Sequence, residues 1–255
     1  MKRQEGLAGL KREIAGLARA ARTDHGVLPF DVPAVDAVLP EGGLARGVLH
    51  ELGGVGGDAE DGVVAAAFLA GILARLKPSL PVLWCLAHED LHAPGLLARG
   101  LAPERLLCVR ARDDRPVLEA MEDGLKVRAL AAVVGEVGDL PLTASRRLQL
   151  AAQHSGVTAF VLRRWRCAGM ARIEPTASVA AVTRWRIGAL PSVPRNGEPG
   201  VGRPLWRVEL LRCRGGFPAR WIMEASDATG HVALAAELAD RAPAPAERQP
   251  FRLAG

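Results

Sequence analysis

The stretch with the residue types and spacing for chemistry is Val48–Gly62, V-L-H-E-L-G-G-V-G-G-D-A-E-D-G, followed by the apolar run Val63–Leu76. A short apolar strand enters a glycine-rich turn and leaves into a helix. In an α/β nucleotide-binding protein the phosphates sit there, because backbone N–H groups of the turn and the positive end of the helix cradle an anion. Gly53, Gly54, Gly56 and Gly57 are the candidate loop. The chemistry also needs a Lys to reach the β- and γ-phosphates and a Ser or Thr to hold Mg²⁺. Counted from Gly54, those two places hold Glu60 and Asp61; counted from Gly57, they hold Val63 and Val64. The nearest lysines are Lys11 and Lys77, well outside the loop. Asp58, Glu60 and Asp61 would repel a triphosphate. The expectation is the architecture of an ATPase without its chemistry: no catalytic residue, no bound nucleotide, no cofactor.

Three other constellations carry residue types that could do chemistry. Ala87-His88-Glu89-Asp90-Leu91-His92 follows an apolar strand, and His88 and His92 could share a helix face as metal ligands. No further His or Cys lies nearby, and Asp90 serves equally as the N-cap of the next helix, so no metal site is expected. Cys85, Cys108, Cys167 and Cys213 are widely separated and form no C-x-x-C pair, which argues against zinc. Cys85, Cys108 and Cys213 lie in strand-like apolar runs and read as buried reduced thiols of a cytosolic protein. Arg163-Arg164-Trp165-Arg166 and Arg184-Trp185-Arg186 interleave basic and aromatic residues. Such a pattern grips phosphate and stacks bases in a single-strand binder, making Arg164, Arg184 and Arg186 candidate DNA contacts. The competing reading puts Trp185 inside a strand with its Arg neighbours facing water.

The elements that must position these residues alternate along the chain. Apolar strands are read at Val48–Leu52, Leu80–Leu86, Leu106–Arg110, Leu130–Val134 and Val157–Arg163. Helices are read at Val63–Leu76, Ala93–Leu101, Val117–Val127 and Thr143–Gln153, with Asp114 and Thr143 as N-caps. Strands alternating with helices imply βαβ units and a mostly parallel sheet flanked by helices. Upstream, residues 23–47 read as a Pro/Gly-rich linker with a short helix near Ala34–Leu39 and a turn at Pro40–Gly43. After Trp165 the pattern changes. Val179–Gly188 and Leu205–Cys213 alternate apolar with polar residues, with Arg207 and Glu209 outward, and Ala219–Glu224 follows a hairpin turn at Arg214–Phe217. These suit antiparallel strands at the sheet edge, one face wet. Pro194–Pro204 reads as a loop and His231–Arg241 as a last helix.

Three segments emerge: 1–27, an N-terminal amphipathic helix and linker; 28–241, the α/β core; and 242–255, a flexible tail. In the first, Leu7, Leu10, Ile14 and Leu17 make one apolar stripe, suited to packing on the chain's own domain, on a partner or on an acidic surface. In the last, Phe251, Arg252 and Leu253 give a bland tail two apolar anchors and a charge, a short partner-binding motif or a frayed end. No run of about 18 apolar residues suggests a membrane span, and the N-terminus lacks a secretory h-region, so a cytoplasmic protein is expected. The net charge of +5 comes almost wholly from arginine, which permits nucleic-acid contact without requiring it.

Taken together, several blocks resemble the ATPase core of RecA, and within it the ImuA family of damage-inducible mutagenesis proteins. The resemblance spans roughly Leu28–Glu224. It is carried by G-L-A-R-G-V-L-H-E at Gly43–Glu51, by V-L-W at Val82–Trp84, and by A-P-G-L at Ala93–Leu96. L-A-A-V-V-G-E-V at Leu130–Val137, L-T-A-S-R-R-L-Q-L-A-A at Leu142–Ala152, T-R-W-R at Thr183–Arg186 and W-R-V-E-L-L-R-C-R-G-G at Trp206–Gly216 complete it. It implies a RecA-like fold, with Glu60 and Asp61 in the places of the phosphate-gripping Lys and Thr. His88 stands at the water-activating Glu position, and Gly135 at the Mg²⁺-side Asp position. It further implies a non-catalytic protein of the SOS DNA-damage response and repair, nucleoid-associated during damage. Such a protein would support translesion synthesis and induced mutagenesis with an ImuB-like adaptor, an error-prone DnaE-type polymerase and RecA, touching DNA directly or through them. In RecA the equivalent N-terminal helix packs on the next protomer, so the Leu7–Leu17 stripe would do likewise. A SulA-like inhibitor of FtsZ, a single-strand DNA-binding module and a live ATPase are the alternatives.

Overall fold

The computed structural model describes residues 25–165, 179–192, 194 and 200–235. The stripe Leu7, Leu10, Ile14 and Leu17, the tail residues Phe251, Arg252 and Leu253, and Cys167 lie outside the described residues.

The region read as a linker opens with strand β1 (Val27–Leu28), continues through the short helix α1 (Pro33–Asp36), and returns as β2 (Leu44–Ala45), antiparallel to β1. The main chain then runs β3 (Leu49–Gly54), α2 (Val63–Arg75), β4 (Val82–Leu86), α3 (Ala93–Leu97), β5 (Leu106–Arg110), α4 (Asp114–Gly124), β6 (Ala132–Val137), α5 (Leu142–Ser155) and β7 (Thr158–Arg163). It ends with β8 (Thr183–Leu190), β9 (Leu205–Cys213), β10 (Ala219–Glu224) and β11 (Ala233–Leu234). The nine-stranded sheet has the order β11-β10-β9-β8-β3-β7-β6-β4-β5. The strands β5, β4, β6, β7, β3 and β8 are mutually parallel, and β9, β10 and β11 pair antiparallel. This is a RecA-like α/β fold, mostly parallel with antiparallel edge strands.

Both faces of the parallel half are covered, which is why its strands are apolar without alternation. One face holds α2 and an aromatic cluster of Phe30, Phe68, Trp84, Trp185 and Trp206. Phe68 meets Trp185 at 5.9 Å and Trp206 edge-on at 6.1 Å. The other face holds α4 and α5, which bury Val117, Met121, Leu148 and Ala152 against Leu49, Val133 and Val161. Arg105, just before β5, donates to the carbonyls of Leu73, Ala74, Leu76, Lys77 and Leu80 at 3.0–3.2 Å. It thereby satisfies the Leu73 and Ala74 carbonyls in the last turn of α2 and pins the segment that follows the helix.

Several sequence expectations are corrected. The N-cap of α4 is Asp113, which accepts from Arg115 N–H at 3.2 Å. Asp114 instead accepts from Gly138 and Asp139 N–H at 3.1 and 2.7 Å, tying the helix start to the loop after β6. Thr143 lies inside α5, whose N-cap is Pro141, two residues earlier, so it is not the cap. Of the helix read at His231–Arg241, residues 236–241 lie outside the described residues, and the described part carries the strand β11, which closes against β10. Among the described cysteines Cys108 is exposed, Cys213 half-buried and only Cys85 buried, where desolvation and, less, the nearby Cys108 push its thiol up to about 12. Among the described residues, no helix is long and apolar enough to cross a membrane.

Candidate functional site

Parallel strands send their carboxyl ends to one edge of the sheet, and the glycine turn opens there. β3 runs straight through Gly53 and Gly54, and Gly57 caps a single π-helical turn, Asp58–Gly62, that feeds α2. The sequence therefore builds the strand–turn–helix geometry of a phosphate loop. Several of the turn's N–H groups are engaged within the protein. Gly56 N–H donates to Asp61 Oδ2 at 2.7 Å, while Asp61 Oδ1 accepts from Ala189 N–H at 2.8 Å. Asp58 N–H donates to the Trp165 carbonyl at 2.9 Å, and Asp58 Oδ1 accepts Trp165 N–H at 3.0 Å. The anion held by this turn is its own carboxylate. Space is equally committed, since a Cβ on Gly54 would lie 2.8 Å from Asp61 Cβ.

Arg164, at the end of β7, fills the mouth of the turn. Its Nε donates to Asp58 Oδ2 at 3.0 Å, one Nη to Glu136 Oε2 at 2.6 Å and the other to Asp90 Oδ2 at 2.5 Å. Three carboxylates thus converge from three different segments: the glycine turn, the strand β6 and the loop after β4. The other oxygen of Glu136 accepts the indole N–H of Trp84 at 2.8 Å. Burial pushes the Glu136 carboxyl above its ordinary range, against the opposing pull of Arg164 and Trp84. Burial alone would lower Arg164, but Glu136, Asp90 and Asp58 outweigh it and raise the guanidinium further. Gly135, read as the Mg²⁺-side position, has its α-carbon turned toward Met121 on the far face of the sheet. Its neighbour Glu136 is the carboxylate that looks toward the loop. Asp90 is an ion-pair partner rather than an N-cap: α3 is capped at His92, without a side-chain bond. Because that helix starts only at Ala93, His88 and His92 share no helix face. Glu89, beside His88, pairs with Arg110 at 2.5 Å on the surface. A nucleoside triphosphate here would meet N–H donors at Gly56 and Asp58 already bonded within the protein, and an arginine held by three carboxylates.

No family model matches the chain. It is 42% identical over 234 residues to Protein ImuA of Caulobacter vibrioides strain NA1000 / CB15N, covering 89% of this chain and 96% of that protein. The same figures hold for Protein ImuA of strain ATCC 19089 / CIP 103742 / CB 15. This chain belongs to the ImuA family. Among solved structures, the crystal structure of SulA from Pseudomonas aeruginosa aligns at 25% identity with a TM-score of 0.38, covering 46% of this chain and 97% of that one.

In this ImuA-family chain the three arginines read as DNA contacts are each paired with carboxylates of the protein itself. Arg184 is 1% exposed, and its Nε donates to Glu51 Oε2 at 2.7 Å. Glu51, itself buried in β3, also takes Arg163 Nη1 at 3.0 Å, so one carboxylate serves two guanidinium groups. Arg163 further lies over the Trp165 ring at 5.3 Å. Arg186 pairs with Glu209 at 2.6 Å, and Arg220 reaches the other oxygen of Glu209 at 2.9 Å. These form a cross-strand ladder over β8, β9 and β10, so Glu209 is buried beneath its arginines rather than facing water. Arg164 is mostly buried in the cluster above. The inward side of β8 is fixed by a polar chain beneath Trp185. The Trp185 indole N–H donates to Thr183 Oγ1 at 2.7 Å, Thr183 Oγ1 lies 2.7 Å from His50 Nδ1, and His50 Nε2 lies 2.8 Å from the Ala45 carbonyl. All three bonds form at once if Nε2 carries the imidazole proton and the threonine hydroxyl donates to Nδ1. Sequence reading missed Glu51, Glu136 and Glu209 as structural carboxylates. The available signal was a charged residue inside an apolar strand, as in V-L-H-E-L and A-V-V-G-E-V.

Proposed function

We propose that this protein is a non-catalytic RecA-like accessory factor of DNA-damage-induced mutagenesis. It supports error-prone synthesis through contacts with an ImuB-like adaptor, a DnaE-type polymerase and RecA. Membership of the ImuA family supports the process. The observation that carries the non-catalytic part is Arg164 bound to Asp58, Asp90 and Glu136 in the mouth of the glycine turn. A turn closed by its own carboxylates has no use for a triphosphate, and a scaffold that keeps the fold while giving up the nucleotide can serve as a docking platform. Translesion synthesis, SOS induction and nucleoid association during damage belong to this reading.

The test is a pull-down of the full chain against an ImuB-like adaptor, a DnaE-type polymerase and RecA, with and without Mg-ATP. Capture of at least one of them, indifferent to nucleotide, is the expected result. Capture that requires ATP, or steady ATP hydrolysis by the purified chain, overturns it.

A further inference from the structure

The two ends of the nine-stranded sheet are finished differently. At one end β11 contributes only two residues. At the other, β5 is a full five-residue strand, L-L-C-V-R, pairing with β4 on one side and with no strand on the other among the described residues. Natural proteins guard such edges with lysines, prolines, bulges or a covering element. β5 has a single charged residue, Arg110, at its last position, and four of its five residues are exposed. Leu107 and Val109 are 49% and 38% exposed, unusual for large apolar side chains at the centre of a strand.

The register of this edge is self-complementary. Ala111 N–H donates to the Leu86 carbonyl of β4 at 2.9 Å. By strand alternation Val109 and Leu107 also aim their backbone groups at β4, so Leu106, Cys108 and Arg110 aim theirs outward. Of the symmetric antiparallel registers, the one centred on Cys108 engages all three outward residues. Cys108 faces its own copy, Leu106 faces Arg110, and each such pair exchanges both backbone hydrogen bonds. Between them, on the opposite face, Leu107 falls directly opposite Val109 of the other copy, twice over. Non-hydrogen-bonded antiparallel pairs bring side chains closest, with Cα atoms about 4.5 Å apart. The two exposed apolar residues of the edge are therefore each other's partners, with no like charges opposed.

We propose that β5 is a self-pairing edge: two copies of this chain join antiparallel along it, about a two-fold axis through Cys108, and continue the sheet across the interface. A second copy is favoured over a foreign strand because this one register satisfies the outward backbone groups and both exposed apolar residues together.

The test uses the full chain. Sedimentation across a dilution series should move from the two-chain to the one-chain mass. Leu107→Lys and Val109→Lys should each raise the dissociation midpoint at least about tenfold, since each opposes a charge to an apolar partner. Circular dichroism and the urea midpoint check that both variants fold. Copper–phenanthroline oxidation of the unmutated protein is a second readout that needs no folded variant. In the proposed pair the Cys108 Cα atoms stand about 5.5 Å apart, within the range a disulfide spans. The two thiols would give up two electrons to two Cu(II) complexes and two protons to the solvent as the S–S bond forms, and peptide mapping should find Cys108 joined to Cys108. A one-chain mass at every concentration, lysine variants that associate as well as the parent, or cross-links confined to other cysteines would each overturn the proposal. So would a chain that stays single and instead takes up a strand from another protein.

Discussion

Arg164 and Glu136 set the energetics of the site as individual residues. Glu136 is 3% exposed, and most of its compensation comes from one guanidinium and one indole N–H. Removing one partner of a buried ion pair leaves an uncompensated charge and costs about 3–5 kcal/mol. Arg164→Met is therefore expected to lower stability by about that amount near pH 7.5, read as the shift in urea unfolding free energy. The loss should shrink toward pH 5, as the abandoned Glu136 takes up a proton. Glu136→Gln tests the sign separately. The native pKa of Glu136 is raised by burial, so its contribution favours the native state while the carboxyl is protonated and fades as pH rises through the native value. Below the ordinary glutamate pKa of about 4.3 both proteins carry a neutral side chain. With rising pH the parent should lose stability relative to Glu136→Gln; a gap that widens in the parent's favour would refute the assignment.

At the scale of the element, the glycine turn is held by Asp61 rather than by a ligand. Its carboxylate bonds the turn at Gly56 and the neighbouring strand β8 at Ala189, so it stitches the π-helical turn to the sheet. Asp61→Ala strands two N–H donors, each costing about 1–3 kcal/mol when left without a partner. The expected result is a lower unfolding midpoint together with faster amide exchange at Gly56 and Ala189. Unchanged exchange at both would mean the carboxylate does not hold the turn. The same element shows why local sequence rules misplaced some caps. A cap read from residue type assumes the nearest acidic or hydroxyl side chain turns back on its own helix. Asp114 and Asp90 are drawn away by partners in other segments, the N–H groups of 138 and 139 and the guanidinium of 164.

At the scale of the whole molecule, β7 lies between β3 and β6 in the sheet. That placement aims the end of β7, hence Arg164, between the glycine turn and Glu136. A protein built this way should gain nothing from nucleotide. A ligand that binds only the native state raises stability by RT ln(1 + [L]/Kd), about 2.7 kcal/mol at a hundredfold excess over Kd. Mg-ATP at millimolar concentration is therefore expected to leave Tm unchanged by calorimetry, and a rise of several degrees would show that the turn still holds phosphate.

The sequence by itself determined the layout: apolar strands alternating with helices, a glycine turn after β3 without its Lys and Thr, and a change of strand pattern after residue 165. Each of these is written in local period or in residue types a few positions apart, and the chain cannot hide them. Read as an antiparallel edge strand with one wet face, Val179–Gly188 instead yields β8, which is buried on both faces because it pairs parallel with β3 inside the sheet. Only the tertiary structure decided what replaces the phosphate. The partners of Arg164 lie 28, 74 and 106 residues away along the chain. They meet because the strand order brings the ends of β3, β4, β6 and β7 to one edge. The same holds for Arg184, which reads as a surface basic residue beside Trp185 but is buried by Glu51, 133 residues earlier. Periodicity reports which face of a strand is apolar. Which charge sits across from which depends on strand neighbours and register, and these are fixed only when the sheet closes.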